Sequence, residues 1–367
     1  MPVSKPGHIH LVVLYGGQSA EHDVSCVTAA HVLAAVDPAR YRVTPIGISR
    51  TGQWALGVAA QAALAAGPDA LPDRLDPSGE EVDPTDVLAG RVDRAEVPST
   101  NEITVVLPLL HGPMGEDGTV QGLLELAGVA YVGAGVLGSA VAMDKALAKQ
   151  VLAANGIAQA RYRAVAEPDI TADTVNELAH EMGLPCFVKP ANMGSSIGVS
   201  RATSVDELRT AIELALTYDE WVVVEEAVTG REIEVAVLGN HEPVASGPGE
   251  IVPGEEFYSY ADKYVTSGAQ LLVPAPLTDA QTDEVRALAV RVFQVLRGSG
   301  LARIDFFFEE AGRGFLCNEA NTMPGFTPIS MYPKLWQAAG VPYPELIDRL
   351  VDLALDRAAR RRRNTAH

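Results

Sequence analysis

The chain has 367 residues, 47% hydrophobic and 20% charged, which predicts a large buried core divided between two or three domains. Its 28 Lys and Arg residues against 47 Asp and Glu residues give a net charge of -19 and argue against a nucleic-acid partner, which would need a basic stripe. No apolar run approaches the roughly 18 residues of a membrane span. The three dispersed cysteines suit a reducing compartment, so we expect a cytoplasmic protein with no membrane partner.

The first part of the chain predicts a parallel sheet. An apolar run over residues 9–15 indicates a buried strand that ends in a glycine pair, and Ser19 is well placed to cap a helix beginning near Ala20. A second strand is expected over residues 103–110, and strands that alternate with helices favour parallel pairing. Residues 57–98 are rich in Ala, Asp and Pro, and we interpret them as a peripheral insertion.

The second part predicts shorter elements followed by longer strands. Asp144 can cap a helix that ends at Asn155, another helix begins after Thr171, and Ser204 with Glu207 has the spacing of a capping box. Short strands are expected between these helices, at residues 186–189, 199–201 and 221–225. An alternating strand from residue 231, a helix over 278–297 and a hairpin over 303–321 complete the pattern.

The hairpin over residues 303–321 carries the strongest chemical signal. Because side chains alternate along a strand, Arg303 and Asp305 share one face while large apolar side chains occupy the other. A turn centred near residue 312 places Glu319 opposite Asp305, with Asn321 near Arg303. Two carboxylates and an amide oxygen on one face suit magnesium, which prefers hard oxygen ligands. On spacing alone, a surface hairpin in which Arg303 neutralises Asp305 is equally compatible, although the Gly- and Pro-rich loop that follows favours the metal.

Two other segments have the composition of a nucleotide site. The strand that ends near Lys189 runs into a loop over residues 194–198, whose N–H groups and serine hydroxyls can close over phosphate oxygens. Such a Gly-Ser-Ser turn alone is also typical of an ordinary hairpin loop, and the loop lacks the Walker A pattern. Glu225 ends a buried strand, where a carboxylate can accept a purine amino group. We interpret Glu226, the next residue, and Glu234 on the following strand as ordinary edge charges.

Taken in order, the motifs resemble those of the D-alanine–D-alanine ligases of the ATP-grasp superfamily. The motifs are GGQSAEHDVS at 16–25, HGPMGEDG at 111–118, AMDK at 142–145, KP at 189–190, GSS at 194–196, KY at 263–264 and NEANTMPGFT at 318–327. The resemblance implies an α/β ATP-grasp fold with three domains. These are an N-terminal Rossmann-like substrate domain with a parallel sheet over 1–139, a small central α+β lid over 140–228, and a C-terminal catalytic domain with a large antiparallel sheet over 229–367.

The resemblance also implies the cofactors, which are ATP and two magnesium ions, with manganese able to substitute. The metal ions would bind Asp305, Glu319 and Asn321 and bridge the β- and γ-phosphates. Further implied ATP contacts are Lys145, Lys189, Ser195, Ser196 and Lys263 at the phosphates, Glu225, Ala227 and Val228 at the adenine, and Glu232 at the ribose.

The implied reaction joins two D-alanine molecules into D-alanyl-D-alanine for peptidoglycan precursors. The first carboxylate takes the γ-phosphate and the second amine attacks the acyl phosphate, so neutralising charge matters more than a nucleophilic side chain. The implied substrate contacts are Glu21 and His111 at the first D-alanine, Arg303 and the Gly325 N–H at the oxyanion, and Ser330 with the Met331 N–H at the second carboxylate. Glu21 is also a carboxylate that a helix dipole favours in a first turn, and both roles can hold.

Tyr264 distinguishes the implied activity from its nearest alternative, a D-alanine–D-lactate ligase. In the family, a tyrosine here, near the counterparts of Ser195 and Glu21, goes with D-alanine as second substrate and a phenylalanine goes with D-lactate. A non-catalytic ATP-binding module would lack the metal ligands or Arg303, and a dehydrogenase would need a glycine fingerprint that this chain lacks. The resemblance further implies a homodimer and a closing loop over residues 253–265, and Glu226 stands where a lysine is common.

Overall fold

Three sheets organise the chain, of which the computed structural model describes residues 9–67, 70–88, 102–252 and 270–362. The first sheet consists of β1 (Ile9–Gly16), β2 (Tyr41–Ile48), β3 (Trp54–Leu56), β4 (Glu80–Glu81), β5 (Ile103–Pro108) and β6 (Ala130–Tyr131). Its strand order is β4-β3-β2-β1-β5-β6, and β2, β1, β5 and β6 are mutually parallel. The parallel sheet predicted for the first part is therefore confirmed, with β3 and β4 added antiparallel at one edge.

The helices of this first unit lie between its strands and after them. They are α1 (His22–Ala35), α2 (Val58–Ala66), α3 (Pro84–Leu88), α4 (Thr119–Leu126) and α5 (Val136–Met143). The described part of the 57–98 stretch thus forms α2, β4 and α3 beside the sheet edge, as expected of a peripheral segment.

The start of α1 differs from the prediction, and the difference places a functional side chain. The N-cap is Glu21 rather than Ser19, because Ser19 instead closes a turn in which its hydroxyl accepts the Glu21 N–H at 3.2 Å. The chain enters this turn through Gly16, which has a φ of +90° and whose Cβ, if present, would lie 2.2 Å from the Ile48 carbonyl oxygen. Only glycine tolerates this combination of backbone angle and contact. Glu21 consequently lies at the carboxyl end of β1.

The second sheet is smaller and wholly antiparallel. It consists of β7 (Tyr162–Ala166), β8 (Cys186–Pro190), β9 (Ser200–Ala202) and β10 (Trp221–Glu226) in the order β7-β10-β8-β9. Its helices are α6 (Lys145–Ala154), α7 (Ala172–Met182) and α8 (Val205–Leu216), with a one-turn 3-10 helix at Glu167–Asp169. The predicted caps of α6 and α7 are confirmed, since the Asp144 and Thr171 side chains accept backbone N–H groups of the first turn.

The predicted capping box of α8 is only half formed. Ser204 accepts the Glu207 N–H at 3.2 Å, as a cap should. The Glu207 carboxylate, however, accepts the backbone N–H of Thr203 at 2.7 Å and its hydroxyl at 2.6 Å instead of returning to Ser204. The reciprocal side-chain contact is therefore made one residue before the N-cap.

The third sheet is the large antiparallel one. It consists of β11 (Arg231–Gly239), β12 (Val244–Val252), β13 (Gln270–Leu272), β14 (Gly300–Glu309) and β15 (Gly314–Asn321) in the order β13-β12-β11-β14-β15. The helices of this part are α9 (Asp279–Val295), α10 (Met331–Ala338) and α11 (Tyr343–Arg362). One face of β14 packs Ile304, Phe306 and Phe308 into the core beneath α9, as the alternation predicted.

The three sheets do not share a single hydrophobic core. The first and third sheets share a hydrophobic core, in which Leu11 of β1 and Leu301 of β14 join Trp336 of α10 and Leu346 of α11. The second sheet has a core of its own, formed with α7 and α8. None of the helices in the described ranges combines the length and the apolar composition needed to cross a bilayer. The mixed α/β class predicted from the sequence is confirmed.

Candidate active site

A cavity of about 1310 Å³ opens where the three sheets meet, and all three contribute to its lining. Glu21 and His111 follow strands of the first sheet, Lys189 and Glu225 belong to the second sheet, and Glu319 belongs to the third. Polar side chains at the edges of separate sheets therefore face one space, as is usual for ligand sites at the boundaries between structural units.

The hairpin of β14 and β15 has the predicted register at its functional end. Asp305 pairs with Glu319 and Arg303 pairs with Asn321. Beyond Asp305 the register shifts by one residue, so that Asn318 is the extra residue of a β-bulge. The bulge places Asn318 and Glu319 together on the cavity side, whereas a regular strand would point consecutive side chains to opposite faces.

Arg303 forms the ion pair with Asp305 that the alternative interpretation of the hairpin predicted, and a second one with Glu234 that it did not. Its Nε and Nη2 donate to the two Asp305 carboxylate oxygens at 2.8 and 2.7 Å, and Nε lies 3.1 Å from Glu234. Asn321 Nδ2 donates to Asp305 at 2.9 Å. Glu234 is only 5% exposed, so interpreting it as an edge charge was wrong, because β11 lies in the interior of the sheet. The interactions with Asp305 and Glu234 hold the pKa of Arg303 well above its usual range even though burial lowers it.

The chemistry of the hairpin donors fits a hard divalent cation. Asp305, Glu319 and Asn321 present carboxylate and amide groups on one side of the hairpin, and all three line the cavity. Within the described residues, no group of three or more His, Cys, Asp and Glu side chains has metal-binding geometry. The predicted set, with two acids and one amide, matches the preference of magnesium for few protein ligands completed by phosphate and water.

On the second sheet's side of the cavity, Glu225 is held between two lysines. Lys189 Nζ donates to its Oε2 at 2.9 Å, and Lys149 Nζ lies 3.0 Å from its Oε1. Lys189 also donates to the Asn318 side chain at 3.3 Å, which links this end of the cavity to the bulge. Burial would raise the pKa of Glu225, but the two lysines outweigh it and lower the pKa to about 2. Glu225 is therefore an ionised carboxylate with counter-ions from its own chain.

The loop after β8 touches the first unit. Ser195 and Ser196 have φ values of 50° and 58°, a left-handed conformation that residues other than glycine rarely adopt and that often marks functional sites. Ser195 Oγ donates a short hydrogen bond to Glu21 Oε1. The ammonium of Lys145 donates to the Met193 carbonyl at 2.5 Å and so supports the same loop. The Gly-Ser-Ser segment is therefore tied to side chains of the cavity and is more than an ordinary hairpin turn.

Two buried groups near this loop lie in the segment after β5. His111 Nδ1 is 3.0 Å from the Met323 carbonyl oxygen, while its buried Nε2 has no hydrogen-bond partner among the described residues. Glu116 Oε1 accepts the Gly112 N–H at 2.8 Å. Burial, followed by the charge of Glu21, raises the pKa of Glu116 to about 8. The buried Glu116 carboxyl is therefore largely protonated at pH 7, beside the second carboxyl group of Glu21.

Ser330 and Gly325 lie together at the start of α10. Ser330 is the N-cap residue, and its hydroxyl lies 2.8 Å from the Thr327 hydroxyl. A Cβ on Gly325 would lie 3.2 Å from Ser330 Oγ, so the two backbone segments are close. The Met331 N–H belongs to the first turn of the helix, where backbone donors favour an anion such as a carboxylate.

Comparison with known proteins identifies the family. The family model for the N-terminus of D-ala D-ala ligases matches residues 10–134, and the model for the C-terminus matches residues 151–352. The chain belongs to the D-alanine–D-alanine ligase family. It is similar to the D-alanine--D-alanine ligase of Geobacillus kaustophilus, with 48% identity over 94% of each chain. The family is one of ATP-dependent ligases, so the chain is a ligase.

Solved structures of related ligases have the same fold. The D-alanine-D-alanine ligase from Coxiella burnetii is 35% identical with a TM-score of 0.79, and it covers 97% of this chain and 96% of its own. The VanG D-Ala:D-Ser ligase from Enterococcus faecalis is 31% identical with a TM-score of 0.80, covering 95% and 99%. These similarities confirm the ATP-grasp fold expected from the motifs.

Most residues predicted from the sequence come together in the cavity of this ligase. The described ones that line it are Glu21, His111, Lys145, Lys189, Ser195, Ser196, Glu225, Val228, Glu232, Arg303, Asp305, Glu319, Asn321, Gly325, Ser330 and Met331. Ala227 is next to Val228 in sequence but is not part of the lining. Lys263, Tyr264 and the rest of the predicted closing loop lie outside the described residues.

Two residues that line the cavity, Asn318 and Glu116, and the buried Lys149 beside it were not predicted. Asn318 was missed because the bulge that turns it toward Lys189 has no sequence signature of its own. Glu116 lies within the HGPMGEDG motif, for which the resemblance implied a role only at His111. Lys149 did leave a signal, since it lies between Ala146 and Leu152 on the buried face of α6, where a charged residue needs a partner.

Proposed function

We propose that this ligase joins two D-alanine molecules into D-alanyl-D-alanine through a D-alanyl phosphate, for peptidoglycan precursor synthesis. The observation that carries the proposal is the contact between Ser195 and Glu21. It brings the loop proposed to cover the transferring phosphate against the carboxylate proposed to hold the first substrate. An acyl phosphate forms only where a phosphate donor and a substrate carboxylate share one site, since proximity supplies much of the rate.

The nucleotide is proposed to lie between the second and third sheets. Its phosphates would contact Lys145, Lys189, Ser195, Ser196 and Lys263, its adenine Glu225, Ala227 and Val228, and its ribose Glu232. The left-handed backbone at the two serines supports this placement, because successive N–H groups in such a conformation form a concave site for anions.

Two magnesium ions, with manganese able to substitute, are proposed at Asp305, Glu319 and Asn321. Bound there, they would supply charge neutralisation between the β- and γ-phosphates. The support is the chemistry of these three side chains and their common face on the hairpin. Arg303 uses its Nε and Nη2 donors on Asp305, and the guanidinium has further N–H groups that can reach a substrate oxygen.

The substrates are proposed to lie between the first and third sheets. Glu21 would hold the ammonium of the first D-alanine beside His111, whose buried Nε2 can form a hydrogen bond with that substrate. Arg303 and the Gly325 N–H would stabilise the oxyanion of the tetrahedral intermediate. Ser330 and the Met331 N–H would bind the second carboxylate at the start of α10.

The test is phosphate release with ATP, magnesium and D-alanine, with the product identified by mass spectrometry. The proposal expects D-alanyl-D-alanine and one phosphate per dipeptide, and no product with D-lactate as second substrate. D-serine is included because one similar structure is a D-Ala:D-Ser ligase. A depsipeptide yield equal to the dipeptide yield, or a preference for D-serine, would contradict the proposed second substrate.

A substitution at Tyr264 tests the choice of second substrate in the same assay. Tyr264→Phe removes one hydroxyl and is expected to admit D-lactate while dipeptide formation continues. Tyr260→Phe, in the same proposed closing loop, serves as the control and should leave specificity unchanged. If Tyr264→Phe makes no depsipeptide, Tyr264 does not select the second substrate, although the dipeptide ligase itself stands.

The domain limits and the oligomeric state are also proposals. We assign domains to residues 1–139, 140–228 and 229–367, supported by the separate core of the second sheet. We propose a homodimer and a closing loop over residues 253–265. Sedimentation equilibrium at micromolar concentration tests the dimer. Limited proteolysis tests the loop, which should be protected by ATP, magnesium and a phosphinate inhibitor, and unchanged cleavage would contradict closure.

A further inference from the structure

A fully buried lysine lies beside the proposed nucleotide site without lining it. Lys149 is 2% exposed and projects from α6 toward the second sheet. Its ammonium is 3.0 Å from Glu225 Oε1 and 5.2 Å from the centre of the Tyr162 ring. A buried ammonium is tolerated only with compensating charge, so its presence here requires the Glu225 carboxylate.

The two lysines that bind Glu225 differ in where they lie. Lys189 lines the cavity, its side chain is 14% exposed, and it divides its donors between Glu225 and Asn318. Lys149 is not part of the lining, and its contact with Glu225 is an ion pair that is not aligned as a hydrogen bond. One lysine can therefore be reached by a ligand in the cavity, and the other is reserved for Glu225.

We propose that Lys149 is a positioning residue, a permanent counter-ion that keeps Glu225 ionised and in place when Lys189 turns to the nucleotide phosphates. The proposal deepens the proposed function and rests on its placement of ATP in this cavity. If Lys189 were the only counter-ion, its movement toward a phosphate would leave a buried carboxylate alone. Such a group takes up a proton instead of remaining charged.

The surroundings of Glu225 limit what else can play this part. Among the described residues, Lys145 is a third cation that interacts electrostatically with Glu225, besides Lys149 and Lys189. Lys145 donates to the Met193 carbonyl and is proposed to contact phosphate, so it is committed elsewhere. Tyr162 and Cys317 lie near Lys149, and burial raises the pKa of both, so both are neutral near pH 7.

The test measures binding of the ATP analogue AMP-PNP with magnesium by calorimetry, in two buffers of different ionisation enthalpy. The wild type should bind with no proton taken up by Glu225. Lys149→Met should bind at least about 10-fold more weakly and take up close to one proton per nucleotide at pH 7. Lys149→Arg, which keeps the charge, should restore both values. Arg209→Met, an equal charge change on exposed α8, should match the wild type.

Steady-state kinetics separate positioning from general damage to the fold. Lys149→Met should raise KM for ATP about 10-fold or more while KM for D-alanine changes less than about 2-fold. Equal increases in both KM values would overturn the proposal, as would proton uptake equal to that of the wild type.

A double-mutant cycle covers the case in which Lys149→Met folds poorly. In the Glu225→Gln background there is no carboxylate to hold, so adding Lys149→Met should weaken AMP-PNP binding less than about 2-fold further. Additive losses would overturn the proposal. A separate result would contradict the proposed position of the nucleotide: neither Lys189→Met nor Glu225→Gln weakens AMP-PNP binding. A loss with Lys189→Met but none with Lys149→Met rejects only the role of Lys149.

Discussion

The two ends of the cavity treat buried charge in opposite ways. At the nucleotide end, Glu225 has a lysine at each carboxylate oxygen, and its pKa is lowered to about 2. At the substrate end, Glu116 is buried with Glu21 and Glu319 nearby, and its pKa is raised to about 8. At the first end two lysines outweigh the effect of burial, whereas at the second burial and the charge of Glu21 outweigh the opposing effects of the Gly112 N–H and Lys145.

At the nucleotide end the buried charge is compensated within the folded protein, whereas at the substrate end we expect ligands to compensate it. Groups whose pKa values are strongly raised by burial and by like charges are typical of functional sites, since ordinary folding does not favour them. The acidic end is where the proposal places two cations and the substrate ammonium group. Replacing the acid at the substrate end with its amide should therefore raise the free energy of unfolding. The same replacement at the nucleotide end should lower it.

The largest expected effect is at Glu116. Glu116→Gln should raise the free energy of unfolding of the metal-free protein by on the order of 4 kcal/mol at pH 9 and by little at pH 5. The sign follows because a raised pKa means that the folded state holds a proton that the unfolded state has lost. The contribution of Glu116 to wild-type stability therefore falls as the pH rises from about 4.5 to about 8. Urea denaturation in EDTA, from about pH 5 to about pH 9, measures the difference.

The control for Glu116 is Glu213→Gln on the exposed side of α8, which changes the net charge equally and should show no such pH dependence. Glutamine can still accept the Gly112 N–H, so the packing of the loop is retained. If Glu116→Gln destabilises the protein at pH 9, the acidic end is balanced after all, and the contrast between the two ends is lost.

Replacing Glu225 should change the free energy of unfolding in the opposite direction. Glu225→Gln leaves Lys149 and Lys189 without their carboxylate and should lower the free energy of unfolding by about 3 kcal/mol at pH 7. The lowered pKa of Glu225 contributes stability that is present above about pH 4.5 and is lost as the pH falls toward 2. The deficit of the variant should therefore shrink as the pH falls below 4.5, and a constant deficit would argue for lost packing instead.

The sequence predicted the fold, but it did not predict most of this contrast in buried charge. The strands of the hairpin and the pairing of Asp305 with Glu319 followed from alternation and the position of the turn, both local properties. The bulge at Asn318 and the pairing of Arg303 with Glu234 depend on contacts with β8 and β11, which no local pattern records. The roles of single residues came from ordered motifs, and the charge balance came only from the structure.

Metal ions test the acidic end directly. With ADP at about 100 times its Kd, changing EDTA for magnesium should raise the free energy of unfolding by about 2 kcal/mol, because the metal-nucleotide complex binds only the folded state. Manganese should act similarly. Glu319→Gln should remove most of the metal-dependent part and keep the response to ADP in EDTA. Glu310→Gln, in the exposed turn of the same hairpin, is the control. Equal metal responses in both variants would place the ions elsewhere.

The smallest expected effect concerns Glu226, the residue directly after Glu225 on β10. It binds Arg161 at 2.7 Å and Arg313 at 2.5 Å, but those side chains are 62% and 42% exposed. Ion pairs with exposed partners contribute little, so Glu226→Gln should lower the free energy of unfolding by less than about 1 kcal/mol. The loss should shrink further in 1 M salt, which screens exposed charges but not the buried lysines around Glu225. A loss as large as that of Glu225→Gln, unchanged by salt, would mean that the position on β10, and not the burial of the counter-ions, sets the energy of these two adjacent acids.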